Sequence, residues 1–133
     1  MKVFVDANIF MYSVGGSHPS KEPSIRLLRS IAEGRIDAVC DTQLLQELLY
    51  RFCHLQRHAE GVALVEHVTR IVPTILPVET RDILVACQLL TQHTIIEPRD
   101  AVHAAVMLNH GMTQLYSYDR HFDRIPHLTR LEP

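Results

Sequence analysis

The sequence lacks a long apolar run and a strong excess of charge of one sign. No stretch approaches the roughly 20 apolar residues that a membrane-spanning helix needs. The start, MKVFVDANIF, does not read as a signal peptide, because Asp6 interrupts its apolar run almost at once. The formal net charge is −2, so any contact with nucleic acid must use a local basic patch. These absences predict a cytoplasmic protein with no membrane contact.

The sequence is also poor in cysteine and has no CxxC pair. The three cysteines, Cys40, Cys53 and Cys87, are widely spaced among apolar residues. We expect three reduced core thiols, as in a cytosolic protein.

The chain has the length and composition of one domain, residues 1–133, with nearly half of its residues apolar. Apolar patterns predict strands at 2–5, 36–40, 74–76, 114–117 and 128–131. They predict helices at 8–12, 20–33, 42–55, 59–71, 79–91 and 98–110, with a short turn or helix at 119–125. In the helix at 79–91 the inward residues are expected to be Ile83, Leu84, Ala86 and Cys87. This alternation predicts an α/β fold with a mainly parallel sheet and helices on both faces.

Two acids follow predicted strands. Asp6 closes the first strand, and Asp119 follows the strand at 114–117. In open parallel sheets, sites lie beyond the carboxyl ends of the strands, so both carboxylates are expected to face one cleft. Helix N-caps are an equally simple explanation of both residues. Ser117 and Asp123 are candidates to join Asp119.

Two further acids lie on helices. Asp100 is the third residue of PRDAVHAAVMLNHG, a helix that is apolar almost all round. The helix dipole would also favour an acid there, and Arg99 or His103 could pair with it. Glu47 borders the apolar face of its helix, where an ion pair with Arg51 is the alternative.

Four clustered carboxylates would repel one another by about 1 kcal/mol per pair in water and about 4 kcal/mol at an effective dielectric near 20. Such a cluster takes up protons or binds a hard divalent cation. Several cationic side chains could line an approach for phosphates: Arg26, Arg29, Arg51, Arg57 and Arg99.

Four blocks of the sequence, VFVDANIF, LLQELL, PRDAVHAAVMLNHG and YSYDRHFDRI, occur in an order and at separations that match a known family. Over essentially its whole length the chain resembles the PIN-domain family, and within it the VapC-type toxins of bacterial toxin–antitoxin pairs. PRDAVHAA is the most distinctive block.

The resemblance implies a three-layer α/β/α fold and an endoribonuclease that requires Mg²⁺ or Mn²⁺. It places Asp6, Glu47, Asp100 and Asp119 in the family's acidic quartet. Three further residues match the family around the quartet. Asn8 matches its small polar residue after the first acid, and Asp123 matches an acid that only some members use. His103 matches a histidine that packs against or supports the site. Tyr118 departs from the family, which usually has a small residue there. The implied partners are an RNA substrate, a small antitoxin that occludes the cleft, and a second copy in a homodimer.

On this interpretation Asp6 and Asp100 are the main metal ligands, and Asp119 helps directly or through water. Glu47 orients the attacking water or holds a second ion. The alternative function is a non-catalytic PIN-like module that binds RNA or protein. Another magnesium-dependent phosphohydrolase is less well supported, since DAN supplies one acid where aspartyl-phosphate enzymes usually have a DxD-type pair.

Overall fold

The fold is built on a parallel five-stranded sheet. The computed structural model describes residues 1–133. The strands are β1 (Lys2–Val5), β2 (Asp37–Asp41), β3 (Thr74–Leu76), β4 (Gln114–Tyr116) and β5 (Thr129–Leu131). Their order in the sheet is β3-β2-β1-β4-β5, and every neighbouring pair is parallel. The predicted α/β class is confirmed.

Six α-helices connect or flank the strands. They are α1 (Ala7–Val14), α2 (Lys21–Ala32), α3 (Thr42–His54), α4 (His58–Ile71), α5 (Thr80–Gln92) and α6 (Pro98–Asn109), and a 3₁₀ helix spans Arg120–Arg124. Every predicted element is present, with its ends displaced by at most a few residues. None of these helices combines the length and the apolar character needed to cross a bilayer.

Alternate side chains of the strands divide the core into two halves. Val3 and Val5 of β1 face buried residues of α1 to α4, whereas Phe4 faces buried residues of α5 and α6. This is the period of two that a strand imposes when both of its faces are covered. The predicted three-layer arrangement is therefore confirmed.

Helix α6 lies at the centre of one layer. Pro98 occupies its first turn, as predicted, and Gly111 follows its end with a φ of +68°, which glycine adopts without strain. Ala101, Ala104 and Ala105 are fully buried. Their small side chains let α6 approach the sheet closely, which brings the first turn of α6 to the carboxyl edge of the strands.

The predicted inward face of α5 is correct at Ala86 and wrong at the other three positions. Ile83, Leu84 and Cys87 are exposed, and the buried positions are Asp82, Ala86 and Leu89. These three follow the helical period, and Asp82 is tolerated in the interior because Asn109 Nδ2 donates to its Oδ1 at 2.7 Å.

The expectation of three core thiols is also wrong, since of the cysteines only Cys40 is buried.

Candidate active site

The order of the strands creates a crevice at the carboxyl edge of the sheet. From β1 the chain moves to β2 and β3 on one side, and β4 and β5 lie on the other side. At such a switch point the connections leave in opposite directions and a cleft opens between them. Asp6 directly follows β1, Asp41 ends β2, and Ser117 directly follows β4, so three polar side chains meet there.

A cleft of about 460 Å³ occupies this edge. All four predicted acids line it, together with cationic, polar and apolar residues. Its lining comprises Asp6, Ala7, Asn8, Met11, Gln43, Gln46, Glu47, Tyr50, Arg51, His54, Arg99, Asp100 and Asp119. Residues that are as many as 113 positions apart in the chain (6 and 119) are therefore brought to one concave surface.

Asp6 both caps helix α1 and lines the cleft, the two roles that its position after β1 suggested. Its Oδ1 accepts from Ala7 N at 2.8 Å at the start of α1, and its Oδ2 accepts from Ser117 Oγ at 2.7 Å. Asn8 Nδ2 donates to the same Ser117 hydroxyl at 3.2 Å, and Asn8 Oδ1 accepts from Tyr118 N at 3.3 Å. Burial raises the pKa of Asp6, although His103 and Ser117 oppose this effect. Asn8 and Ser117 thus hold Asp6 in a fixed orientation.

Among the carboxylates of the cleft, Asp100 is the one with a buried oxygen that has no hydrogen-bond partner. Only 4 % of the residue is exposed, and its Oδ2 has no hydrogen-bond partner. Burial, the adjoining Asp119 carboxyl and the charge of Asp6 together raise the pKa of Asp100 to about 8. No ion pair with Arg99 forms. The charge of His103 lowers this pKa only in part. Helix-dipole stabilisation therefore does not by itself explain an acid at this position, since the charged form remains disfavoured.

Glu47 is held by a buried histidine and not by Arg51. His103 Nε2 lies 2.6 Å from Glu47 Oε1, and His103 Nδ1 lies 2.8 Å from Asp41 Oδ2. Burial lowers the pKa of His103, but Asp41 and Glu47 raise it by more than burial lowers it. The pKa of His103 is therefore well above its ordinary value. With a carboxylate on each ring nitrogen, the imidazolium donates on both sides. His103 therefore fixes Glu47 Oε1 and leaves Oε2 available to the cleft.

Asp41 is the member of this network that the sequence reasoning missed as a site residue. It directly precedes α3 and caps that helix, since its Oδ1 accepts from Leu44 N at 2.9 Å. Its other oxygen binds His103. The signal was present, because Asp41 ends a buried strand as Asp6 follows one.

Asp119 and Asp123, which were expected to lie together, are in different places. Asp119 lines the cleft and caps the 3₁₀ helix through His121 N at 2.9 Å. Asp123 does not join it: its carboxylate is exposed outside the cleft, where it accepts from Arg130 Nε at 2.9 Å. The expectation for Asp123 differs from the structure because the 3₁₀ helix turns it toward β5.

Tyr118 fits beside the cleft without filling it. Its hydroxyl lies 2.9 Å from Ser24 Oγ and donates to Ser20 O at 3.2 Å, both near the start of α2. Its ring meets that of Tyr12 edge-on at 5.2 Å. The bulky residue therefore points toward α2, and it does not line the cleft.

The five predicted cationic residues are not equivalent. Arg51 and Arg99 line the cleft. Arg57 pairs with Glu60 and lies over the ring of Phe52. The remaining two, Arg26 and Arg29, are exposed on α2 and do not line the cleft.

The donor set of the cleft fits a hard divalent cation. Asp6, Glu47, Asp100 and Asp119 place four carboxylates around the crevice. The buried cationic group that contacts one of them is His103, which binds Glu47 from behind. Carboxylate oxygens are the ligands that Mg²⁺ and Mn²⁺ favour. The unpartnered Asp100 Oδ2 is a buried oxygen available for such an ion.

Comparison with known proteins agrees with this architecture. The family model described as "PIN domain" matches residues 3–128. Ribonuclease VapC13 of Mycobacterium tuberculosis and a VapC ribonuclease of Mycobacterium bovis are each 38% identical over 129 residues, covering 97% of this chain and 98% of theirs. Ribonuclease VapC23 of M. tuberculosis is 32% identical over 120 residues, covering 88% of this chain and 92% of its own.

Solved structures share the fold at low sequence identity. The VapC20 toxin of M. tuberculosis, described as cleaving the sarcin–ricin loop, superposes with a TM-score of 0.80 at 20% identity over 98% of this chain and 99% of its own. DNA-bound VapBC from Salmonella typhimurium gives 0.75 at 20% identity over 99% and 98% of the two chains.

The parallel sheet, the acid-lined crevice and the family match define the class: the chain belongs to the PIN-domain family. Its curated relatives, of almost the same length, are VapC ribonucleases. Within the family it is therefore a VapC-type member.

Proposed function

We propose that this chain is a metal-dependent endoribonuclease, the toxin of a type II toxin–antitoxin pair, which hydrolyses RNA phosphodiester bonds in the cytoplasm. The observation that carries the proposal is the buried, unpartnered Asp100 Oδ2 in a cleft that three further carboxylates line. A buried carboxylate without compensation costs several kcal/mol. A chain that maintains such a group in a cleft has a use for it.

Asp6, Asp100 and Asp119 are the residues that would hold the ion, Mg²⁺ or Mn²⁺. When bound, it would lower the pKa of a coordinated water, neutralise phosphate charge and stabilise the leaving oxygen. Ser117 and Asn8 keep Asp6 from rotating. This support matters because ligands held by hydrogen bonds need not be reoriented when the ion arrives.

Glu47 orients the attacking water in this proposal. Its Oε1 is tied to His103, so Oε2 can accept a proton from water in the cleft. The water oxygen forms a new bond to phosphorus, one P–O bond of the backbone breaks, and the departing oxygen takes a proton from solvent. Asp41 orients His103 from the far side, which keeps Glu47 in place through the reaction.

Arg51 and Arg99 are the cationic residues best placed for the substrate. Both line the cleft beside the acids and could contact RNA phosphates that the carboxylates alone would repel. Arg26, Arg29 and Arg57 would contribute only where a longer RNA extends beyond the cleft. Binding is expected to weaken as salt rises, since phosphate contacts release counterions.

The proposed partners are a small antitoxin and a second copy of the chain. A groove lined by Met11, Tyr12, Phe52 and Leu55, with Arg51 and Arg57 beside them, adjoins the cleft. An antitoxin segment that combines apolar and acidic residues would fit it and block the cleft. The exposed Ile83 and Leu84 of α5 offer an apolar surface for a homodimer, which sedimentation of the purified chain would test.

The test is cleavage of total RNA by the purified chain, with the ends mapped after brief exposure. Wild type is expected to cleave with Mg²⁺ or Mn²⁺ and not with EDTA. Asp6→Asn and Asp100→Asn should lose activity at least about a hundredfold, whereas Asp37→Asn, an exposed acid at the start of β2, should keep it. Full metal-dependent cleavage by both cleft variants would show that the site is wrong. Absence of both metal uptake and cleavage in wild type would favour a non-catalytic module.

A further inference from the structure

A histidine outside the predicted quartet completes a second group of potential ligands. Atoms of Asp100, Asp119 and His121 all lie within 4.8 Å of one another. His121 Nδ1 is 3.2 Å from Asp119 Oδ1. The 3₁₀ helix creates this proximity, because Asp119 caps it and accepts from His121 N at 2.9 Å. The imidazole is therefore held next to the carboxylate by the local backbone.

The second observation concerns unsatisfied atoms. Two buried side-chain polar atoms in the protein lack a hydrogen-bond partner, Asp100 Oδ2 and His121 Nδ1, and both belong to this group. Asp100 is 4 % exposed. The Asp119 carboxylate is close to His121 Nδ1 but not aligned to accept from it. Leaving a buried polar group unsatisfied is unfavourable, so two in one place indicate a missing common partner.

The distances suit one ion. Adjacent ligands of an octahedral ion with bonds of roughly 2.1 Å are about 3 Å apart, and opposite ligands about 4.2 Å apart. The 3.2 Å separation of His121 Nδ1 from Asp119 Oδ1 matches an adjacent pair. The widest separation in the group, no more than 4.8 Å, needs only a small inward shift of the side chains.

We propose that His121 Nδ1 joins Asp100 and Asp119 as a metal ligand, and that it biases the site toward Mn²⁺ or a similar first-row ion over Mg²⁺. Imidazole binds first-row transition ions well, whereas Mg²⁺ strongly prefers oxygen. The inference rests on the proposed function for the presence of an ion in the cleft. It adds a nitrogen ligand and an ion preference that the acidic quartet does not supply.

The experiment uses the full chain and Mn²⁺ alone as the probe. Pulsed EPR of bound Mn²⁺ is expected to show imidazole ¹⁴N coupling in wild type and in the control His127→Gln, whose residue is exposed and belongs to neither group of potential ligands. His121→Gln should lose the coupling. By calorimetry the variant should bind Mn²⁺ about tenfold more weakly or worse, the scale of disrupted metal-site support, with less than about a threefold change for Mg²⁺.

The outcomes separate the two proposals. Mn²⁺ bound without ¹⁴N coupling, or coupling that persists in His121→Gln, overturns the role of His121 and leaves the ribonuclease proposal standing. No Mn²⁺ binding by wild type overturns both. If His121→Gln fails to fold, NMR of wild type decides the matter. Mn²⁺ should broaden the ring signals of His121 far more than those of His127, and equal broadening would overturn the inference.

Discussion

Removing the Asp100 carboxylate should stabilise the metal-free protein although it abolishes activity. The pKa of Asp100 is raised from 3.8 to about 8 in the folded chain. As pH rises above about 4, the unfolded chain releases this proton first, so the free energy of unfolding falls until the pH passes about 8. At 1.36 kcal/mol per pKa unit, the cost reaches about 2 kcal/mol at pH 5 and about 4 kcal/mol at pH 7.

Asp100→Asn avoids this cost because an amide carries no charge. It loses little helix-dipole stabilisation, worth about 0.3–1 kcal/mol for a charged acid, because Asp100 with a pKa of about 8 is mostly protonated at pH 7. Rearrangement of Asp6 and Asp119 lowers the cost in wild type, so we expect a net gain of roughly 2 kcal/mol at pH 7 and less at pH 5. For a chain of this length, that gain corresponds to a rise in Tm of roughly 5–10 °C.

The assay is thermal unfolding in EDTA at pH 5 and pH 7, with Asp37→Asn as the matched control at an exposed position. Saturating Mn²⁺ should reverse the order, because an ion at a hundred times its Kd adds about 2.7 kcal/mol to wild type and little to Asp100→Asn. A Tm for Asp100→Asn in EDTA that is equal to or below that of wild type at pH 7 would refute the reasoning.

Two further substitutions test the supporting structure. Asp41→Asn should keep the helix cap, since asparagine caps as well as aspartate, but it should weaken the hydrogen bond to His103. We expect kcat to fall about 10- to 100-fold with KM little changed. An unchanged kcat would show that Asp41 does not support the site. Gly61→Ala would place a Cβ 2.8 Å from Phe52 Cβ where α4 meets α3. Urea unfolding should therefore show that the free energy of unfolding falls by about 1–3 kcal/mol. Gly16→Ala is the control and should show no such loss, because its Cβ would meet nothing within 4 Å.

The elements of the fold could be read from local sequence patterns. Each strand and helix was predicted because its signals lie within a few neighbouring residues. These signals are the spacing of apolar residues and the residues at the ends of an element, such as Pro98 and Gly111 at the ends of α6. The inward face of α5 could not be read in this way. Ile83 and Leu84 are more apolar than Asp82, yet Asp82 is buried because Asn109 on α6 supplies its partner. That partner is 27 positions away, and no local pattern contains it.

The sequence by itself determined the α/β fold and which acids were candidates. Asp6 and Asp119 follow strands, and parallel strands direct their carboxyl ends to one edge. Only the tertiary structure decided how the acids are held. It joined Glu47 to Asp41 through His103, turned Asp123 away to Arg130, and left Asp100 Oδ2 and His121 Nδ1 without partners. The physical reason is that hydrogen bonding and burial depend on positions in space. Partners in the site are separated by as many as 111 positions in the chain (6 to 117), and no local pattern contains both.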